Sequence, residues 1–209
     1  VVCTVRVYLA DTGPRFREAH TESMQRGFSQ GEIFKGAHVL WSYFYLNPFA
    51  EKIVLPNCKS FLLDSGAFTF LSSSKKSADW DSYLAKYAEF IRNNGVDLFF
   101  ELDIDPVVGY ENVKKYRSKL ERLTGKQAIP VWHKSRGKDE FSSLCRDYPY
   151  VAVGGIVTKE IKREQHKYFP WFVDTAHENG CMIHGLGYTA LDGLHKYHFD
   201  SVDSSSWTT

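Results

Sequence analysis

The sequence predicts an α/β protein, a compact (β/α)8 TIM-type barrel, and three observations carry that reading. From about residue 60 onward, short apolar runs alternate with stretches of helical periodicity, as βα units do. Eight strand-like runs can be counted along the 209 residues. Chemistry-bearing side chains recur at the C-terminal ends of those runs, where barrels of this kind gather their sites. A doubly wound open sheet is the alternative, since strands are easily miscounted by eye. No internal repeat, low-complexity tract or long Pro/Gly linker interrupts the chain, so residues 1–209 are read as one domain.

The upstream strands are Cys3 to Leu9, Val39 to Tyr45 and Phe61 to Asp64. The clearest helix runs from about Ala78 to Asn94. Trp80, Tyr83, Leu84, Tyr87 and Ile91 form one apolar stripe on it, Ser77 is placed to cap it, and Gly95 ends it. A strand follows at Val96 to Asp103, then a helix from Tyr110 to Leu123 closed by Gly125. Ala128 to His133 is a strand, Asp139 to Tyr148 a short helix and Tyr150 to Ile156 a strand. Helical segments cover Lys159 to Asn179, with a break before Pro170, a residue suited to a first helical turn. Cys181 to Leu186 is a strand, Ala190 to Tyr197 a helix and Phe199 to Asp203 the last strand. The helix that would close the final βα unit is expected to be missing or to lie outside these residues.

Composition narrows the class. Hydrophobic residues make up 43% and charged residues 24%, which excludes a disordered or fibrous chain. No run approaches the roughly 20 apolar residues of a membrane span, and no signal peptide is expected from the N-terminal residues. A net charge of +1 excludes a strongly basic coat protein, but it leaves room for a local basic rim. Cys3, Cys58, Cys145 and Cys181 form no CxxC pair, so buried free thiols are expected.

The strand ends carry Asp64-Ser65-Gly66-Ala67-Phe68, Glu101-Leu102-Asp103-Ile104-Asp105, Trp132-His133-Lys134, Gly154-Gly155, His184-Gly185-Leu186-Gly187 and Asp200-Ser201-Val202-Asp203. Taken singly, each has a structural reading. Asp64 serves as a turn former, Gly154-Gly155 as a tight passage, His133 and His184 as interior histidines, and an aspartate near 200 as a helix cap. Together they suggest carboxylates converging on one mouth, an arrangement too costly to build without a task. Strand alternation puts Glu101, Asp103 and Asp105 on one face, and Phe199, Ser201 and Asp203 on another that Asp200 does not share.

These motifs, in this order, resemble the tRNA-guanine transglycosylase superfamily. The likeness covers about residues 60 to 205: Leu63-Asp64-Ser65-Gly66-Ala67-Phe68, Val153-Gly154-Gly155-Ile156 with Glu160 beyond, Gly185-Leu186-Gly187, and Phe199-Asp200-Ser201-Val202-Asp203. It looks closest to the short phage and bacterial paralogues that place 7-deazaguanines in DNA. The resemblance implies exchange of guanine for a 7-deazaguanine without cutting the polynucleotide, in a bacterial or phage-infected cytoplasm. Asp203 then resembles the carboxylate nucleophile, with Asp200 the second choice, and Asp64 the general acid/base. Phe68 matches the residue that stacks on the base, and Asp103, with Asp105 beside it, the carboxylate that reads the purine edge. His133 stands where the family has a base-contacting glutamine. Gly155, next to Gly154, resembles a donor to O6, and Glu160 a glutamate near the 7-substituent. His184, before Gly185, takes a position that often carries methionine under the base. No cofactor or metal is implied: the chain lacks the cysteine spacing of the family's zinc-binding subdomain, which favours DNA over tRNA as partner. The chemistry agrees, since two carboxylates serve a displacement at a sugar carbon through a covalent intermediate. Lys134, Arg136 and Lys138 are placed to meet phosphates, whereas Lys114, Lys115, Lys162 and Arg163 read as solvated helix faces. A barrel glycosidase or nucleoside hydrolase, and a non-catalytic nucleic-acid-binding barrel, are the competing readings.

Overall fold

The computed structural model describes residues 5–11, 13–67, 69–70 and 79–205. The chain divides into two compact units, one of residues 10–128 and one of residues 1–9 with 129–209. Both are mixed α/β, and every ladder within each runs parallel. The opening strand, β1 (Arg6–Ala10), pairs within the second unit.

In the first unit, β2 (His38–Ser42), β3 (Ser60–Asp64) and β4 (Leu98–Phe99) lie side by side in chain order, with Leu40 opposite Leu62 and Leu62 opposite Leu98. The expected strand from Val96 to Asp103 is thus only two residues long. Helix α1 (Pro14–Gln25) has no counterpart in the sequence reading, because it buries little beyond Phe16 and so shows no apolar stripe. Its start is held by Asp11, whose Oδ2 accepts from the N–H groups of Gly13, Arg15 and Phe16 at 3.1–3.2 Å. Phe16 stacks on Trp41 of β2, with ring centroids 5.7 Å apart.

Helix α2 (Trp80–Asn93) buries the expected stripe at Trp80, Leu84, Tyr87 and Ile91. Its cap is Asp79, which accepts from Ser82 N at 3.0 Å and Ser82 Oγ at 2.6 Å; Ser77 lies outside the described residues. The turn α3 (Asp105–Val108) precedes α4 (Tyr110–Thr124), which Gly125 closes in the left-handed conformation, φ 70°. Asp81 of α2 and Lys119 of α4 form an ion pair. A second pair is buried: Arg117 of α4, 5% exposed, reaches Glu101, 0% exposed, at 3.2 Å.

In the second unit the order is β1-β8-β7-β6-β5, with β5 (Val131–Trp132), β6 (Tyr150–Val153), β7 (Met182–Gly185) and β8 (Ser201–Ser204). Helix α5 (Gly137–Asp147) joins β5 to β6. A 3₁₀ segment, Arg163–Tyr168, leads into α6 (Phe169–Glu178) with Pro170 in its first turn, and α7 (Leu191–Tyr197) precedes β8. The strands are shorter than their apolar runs, but they occur where the alternation puts them.

Two faces of this sheet divide the side chains. Val151, Val153, Ile183 and Val202 join Phe141, Phe169 and Phe172 of the helices in one buried cluster. Tyr150, His184, Ser201 and Asp203 belong to the other face, with Tyr8 opposite Asp203 and His184 opposite Ser201 in register. Cys145 and Cys181 are buried free thiols and Cys58 is half-buried; Cys3 lies outside the described residues. Among the described residues, no helix is long and apolar enough to cross a membrane.

The Glu101–Arg117 pair yields the first prediction. Replacing Arg117 by Met strands a buried carboxylate and should lower stability by about 3–5 kcal/mol in urea unfolding, whereas Glu101→Leu with Arg117→Leu should recover most of the loss. A double variant as unstable as the single one would count against this account.

Candidate functional site

Asp203 sits at the C-terminal end of β8 and is 9% exposed. Its Oδ1 accepts from Gly187 N at 2.5 Å and lies 3.1 Å from His184 Nε2. Gly187 reaches this position with φ 70°, a conformation that favours glycine. His184 is 0% exposed, and its Nδ1 is 2.5 Å from Ser201 Oγ, which is also hydrogen-bonded to the Tyr150 hydroxyl. The His184 ring stands beside Asp203 with both nitrogens engaged. Asp200 turns to the helix side, as the alternation predicts. Its Oδ2 accepts from Ile183 N at 2.8 Å and lies 3.0 Å from His177 Nε2 on α6.

A second group forms at the ends of β5 and β6. His133 Nδ1 is 2.9 Å from Glu160 Oε2, and Glu160 Oε1 accepts from Ser135 N at 3.3 Å. The two glycines admit this pair. A Cβ on Gly154 would stand 2.8 Å from the His133 ring, and one on Gly155 (φ 79°) 2.8 Å from Glu160 Oε2. Lys159, at φ 60°, turns the chain just ahead of Glu160. Gly154 donates its N–H to Trp132 O at 2.8 Å, within the ladder. A Cβ on Gly185 would meet Tyr188 Cβ at 3.2 Å, so this glycine serves close packing on the helix side.

The first unit holds the remaining predicted residues. Asp64 ends β3, and its Oδ2 accepts from Gly66 N at 3.1 Å, closing a tight turn. Gly66 (φ 67°) has Phe44 Cβ 2.6 Å from where its own Cβ would lie, so no larger residue fits. The turn is held from α2: Tyr83 donates to Ser65 O at 2.6 Å, and Tyr87 bridges Leu63 O and Phe100 O at 3.1 and 3.0 Å. Asp103 is half-buried and Asp105 opens α3, so neither continues the strand. Glu101 is ion-paired with Arg117 at 3.2 Å. Phe68 lies outside the described residues.

Of the expected basic rim, Lys134 and Lys138 are exposed, the first 3.4 Å from Gln165 Oε1 and the second 4.5 Å over the Trp171 ring. Arg136 turns inward to the Val131 carbonyl. Lys114 pairs with Glu111 at 2.6 Å on the helix surface, as a solvated face does.

Gly187, Ser201, Tyr150, Tyr83 and Tyr87 were not singled out as site residues. Gly187 stands in the Gly-Leu-Gly motif, and its positive φ is the signal that marks it. The tyrosines hide within apolar patterns, where a hydroxyl leaves no periodic trace. No protein-family model matches the chain, and no curated protein sequence matches it.

Burial, and secondarily the Asp64 carboxylate, pushes the phenols of Tyr83 and Tyr87 above their ordinary 10.0. Burial does the same to Tyr150, opposed by its bond to Ser201. In the unfolded chain these tyrosines lose protons above about pH 10, while the folded chain keeps them. Their contribution is complete below that pH and is lost as pH rises further, so the urea midpoint should fall as pH rises above about 10. Tyr87→Phe should flatten that fall; an unchanged slope would mean Tyr87 ionises normally in the fold.

Proposed function

We propose that this chain is a base-exchange transglycosylase of the guanine transglycosylase type. It replaces guanine in a polynucleotide, DNA in preference to tRNA, with a 7-deazaguanine through a covalent aspartyl–sugar intermediate. The observation that carries the reading is Asp203: a carboxylate almost out of water, at a strand end, held on one oxygen by a backbone N–H and an imidazole. A TIM-type (β/α)8 arrangement goes with this reading. Its supports are the parallel pairing of β8 with β1 and the chain-order pairing of β5 to β8 and of β2 to β4.

The roles are those the resemblance implies, and the chemistry agrees with them. Asp203 attacks the sugar anomeric carbon as the bond to guanine N9 breaks, and the electron pair leaves on the purine. Asp64 protonates the departing base, then takes the proton of the incoming 7-deazaguanine, whose attack releases Asp203. Asp103 and Asp105 accept from the N–H edge of the purine, Gly155 donates to O6, and Phe68 stacks on the ring, worth about 1–3 kcal/mol. His133, oriented by Glu160, faces the base edge, and Glu160 borders the 7-substituent. Lys134 and Lys138 meet phosphates, and the target base is turned out of any duplex. The reading places the enzyme in a bacterial or phage-infected cytoplasm.

The test is guanine release from labelled duplex DNA, single-stranded DNA and tRNA, each with 7-cyano-7-deazaguanine. Release from DNA supports the reading, release from tRNA alone moves the partner, and hydrolysis of free nucleosides only would favour a nucleoside hydrolase. Asp203→Ala should abolish exchange and any protein–DNA adduct, and Asp64→Ala should slow exchange about 10²–10⁴-fold. Asp200→Ala should leave the adduct in place; its loss there, with retention in Asp203→Ala, would transfer the nucleophile to Asp200.

A further inference from the structure

We propose that His184 is a positioning residue for the Asp203 nucleophile, the last link of a relay Tyr150–Ser201–His184–Asp203, and not a surface for the base. This deepens the base-exchange reading and rests on it. The four residues come from three adjacent strands and share one sheet face. His184 lies between the edges of the Tyr8 and Tyr150 rings, at centroid distances of 6.1 and 6.5 Å, so it is fixed laterally as well as at both nitrogens.

The direction of the bonds follows from what each group can do. An ionised Asp203 only accepts, so His184 must carry a hydrogen on Nε2. A fully buried imidazolium is costly, so Nδ1 is bare and accepts from the Ser201 hydroxyl. Ser201 in turn accepts from the Tyr150 phenol. The chain therefore runs one way, from Tyr150 to Asp203, and fixes the imidazole in its Nε2–H tautomer.

The consequence concerns the carboxylate. Among the described residues, the bonds to Asp203 fall on Oδ1, from Gly187 N and His184 Nε2. Oδ2 is thus the oxygen that bonds to the anomeric carbon as the carbon–N9 bond breaks and its electron pair goes to the purine. Oδ1 then becomes the carbonyl oxygen of the glycosyl ester, and the same two donors hold it in both states. An imidazolium would pair with the charge and blunt the nucleophile, whereas a neutral donor orients it and leaves it anionic.

The experiment compares the intact protein with His184→Ala, His184→Gln and Ser201→Ala. Adduct formation is followed in single turnover with labelled single-stranded DNA, and DNA affinity is measured separately. His184→Ala should slow adduct formation on the order of 100-fold with unchanged DNA affinity. His184→Gln, whose amide N–H replaces Nε2–H, should recover at least tenfold of that loss. Loss seen wholly as weaker DNA binding, a full adduct rate in His184→Ala, or no rescue by Gln would overturn the proposal. A second readout needs no turnover: the ¹⁵N resonances of the His184 ring at neutral pH in the unmodified protein. They should report the Nε2–H tautomer and shift in Asp203→Asn, and an imidazolium or Nδ1–H form would overturn the relay. If the unmodified protein neither releases guanine nor forms an adduct, the exchange reading falls, and the ring resonances still decide the relay.

Discussion

A carboxylate removed from water has to be met by donors, and which donors meet it decides what it can do afterwards. The chain solves this problem twice. Glu101, fully buried, faces the guanidinium of Arg117, a complete countercharge. Such a pair is electrically quiet and ties a helix to the segment after a strand. Asp203 receives a backbone N–H and one imidazole nitrogen. Neither is a guanidinium, so the two buried carboxylates are met by different kinds of donor.

The sheet that carries Asp203 makes this arrangement possible because its two faces do different jobs. Val151, Val153, Ile183 and Val202 give their side chains to the helix layer, where they pack with Phe141, Phe169 and Phe172. The residues between them are free to be polar. His184 and Ser201 are level on neighbouring strands, and Tyr150 shares their face two residues before Ala152, the partner of His184 on β6. A one-residue slip would exchange the faces and bury valines where the relay stands. The apolar cluster thus fixes the register on which the polar chain depends.

The order of elements and the class of fold were legible because helical and strand periodicities differ, and the chain keeps them distinct. The stripe from Trp80 to Ile91 and the Gly125 stop read directly onto α2 and α4. Strand lengths were not legible: Val96 to Asp103 is apolar or acidic throughout, but the strand covers only Leu98–Phe99, with Phe100 bridged to Leu63 after it. Beyond that bridge Glu101 pairs with Arg117 and Asp105 starts a helical turn. Helix α1 left no stripe, since Asp11 and Pro14 hold its start while its exposed face is polar. At the site, the opposed directions of Asp200 and Asp203 followed from period two alone. The occupation of both His184 nitrogens did not, because a hydrogen bond across strands has no signature along one strand.

The relay also has a logic that single residues conceal. His184 puts two polar nitrogens in the interior, and both must be satisfied. Ser201 and Asp203 satisfy them, and Tyr150 occupies the remaining capacity of Ser201. Remove any one member and its neighbour is left as a buried donor or acceptor, a cost of about 1–3 kcal/mol that the full set avoids. The four therefore form a unit whose parts are tolerable only together. A buried polar chain of this kind is stable because it is complete, and its one partly exposed end is the carboxylate.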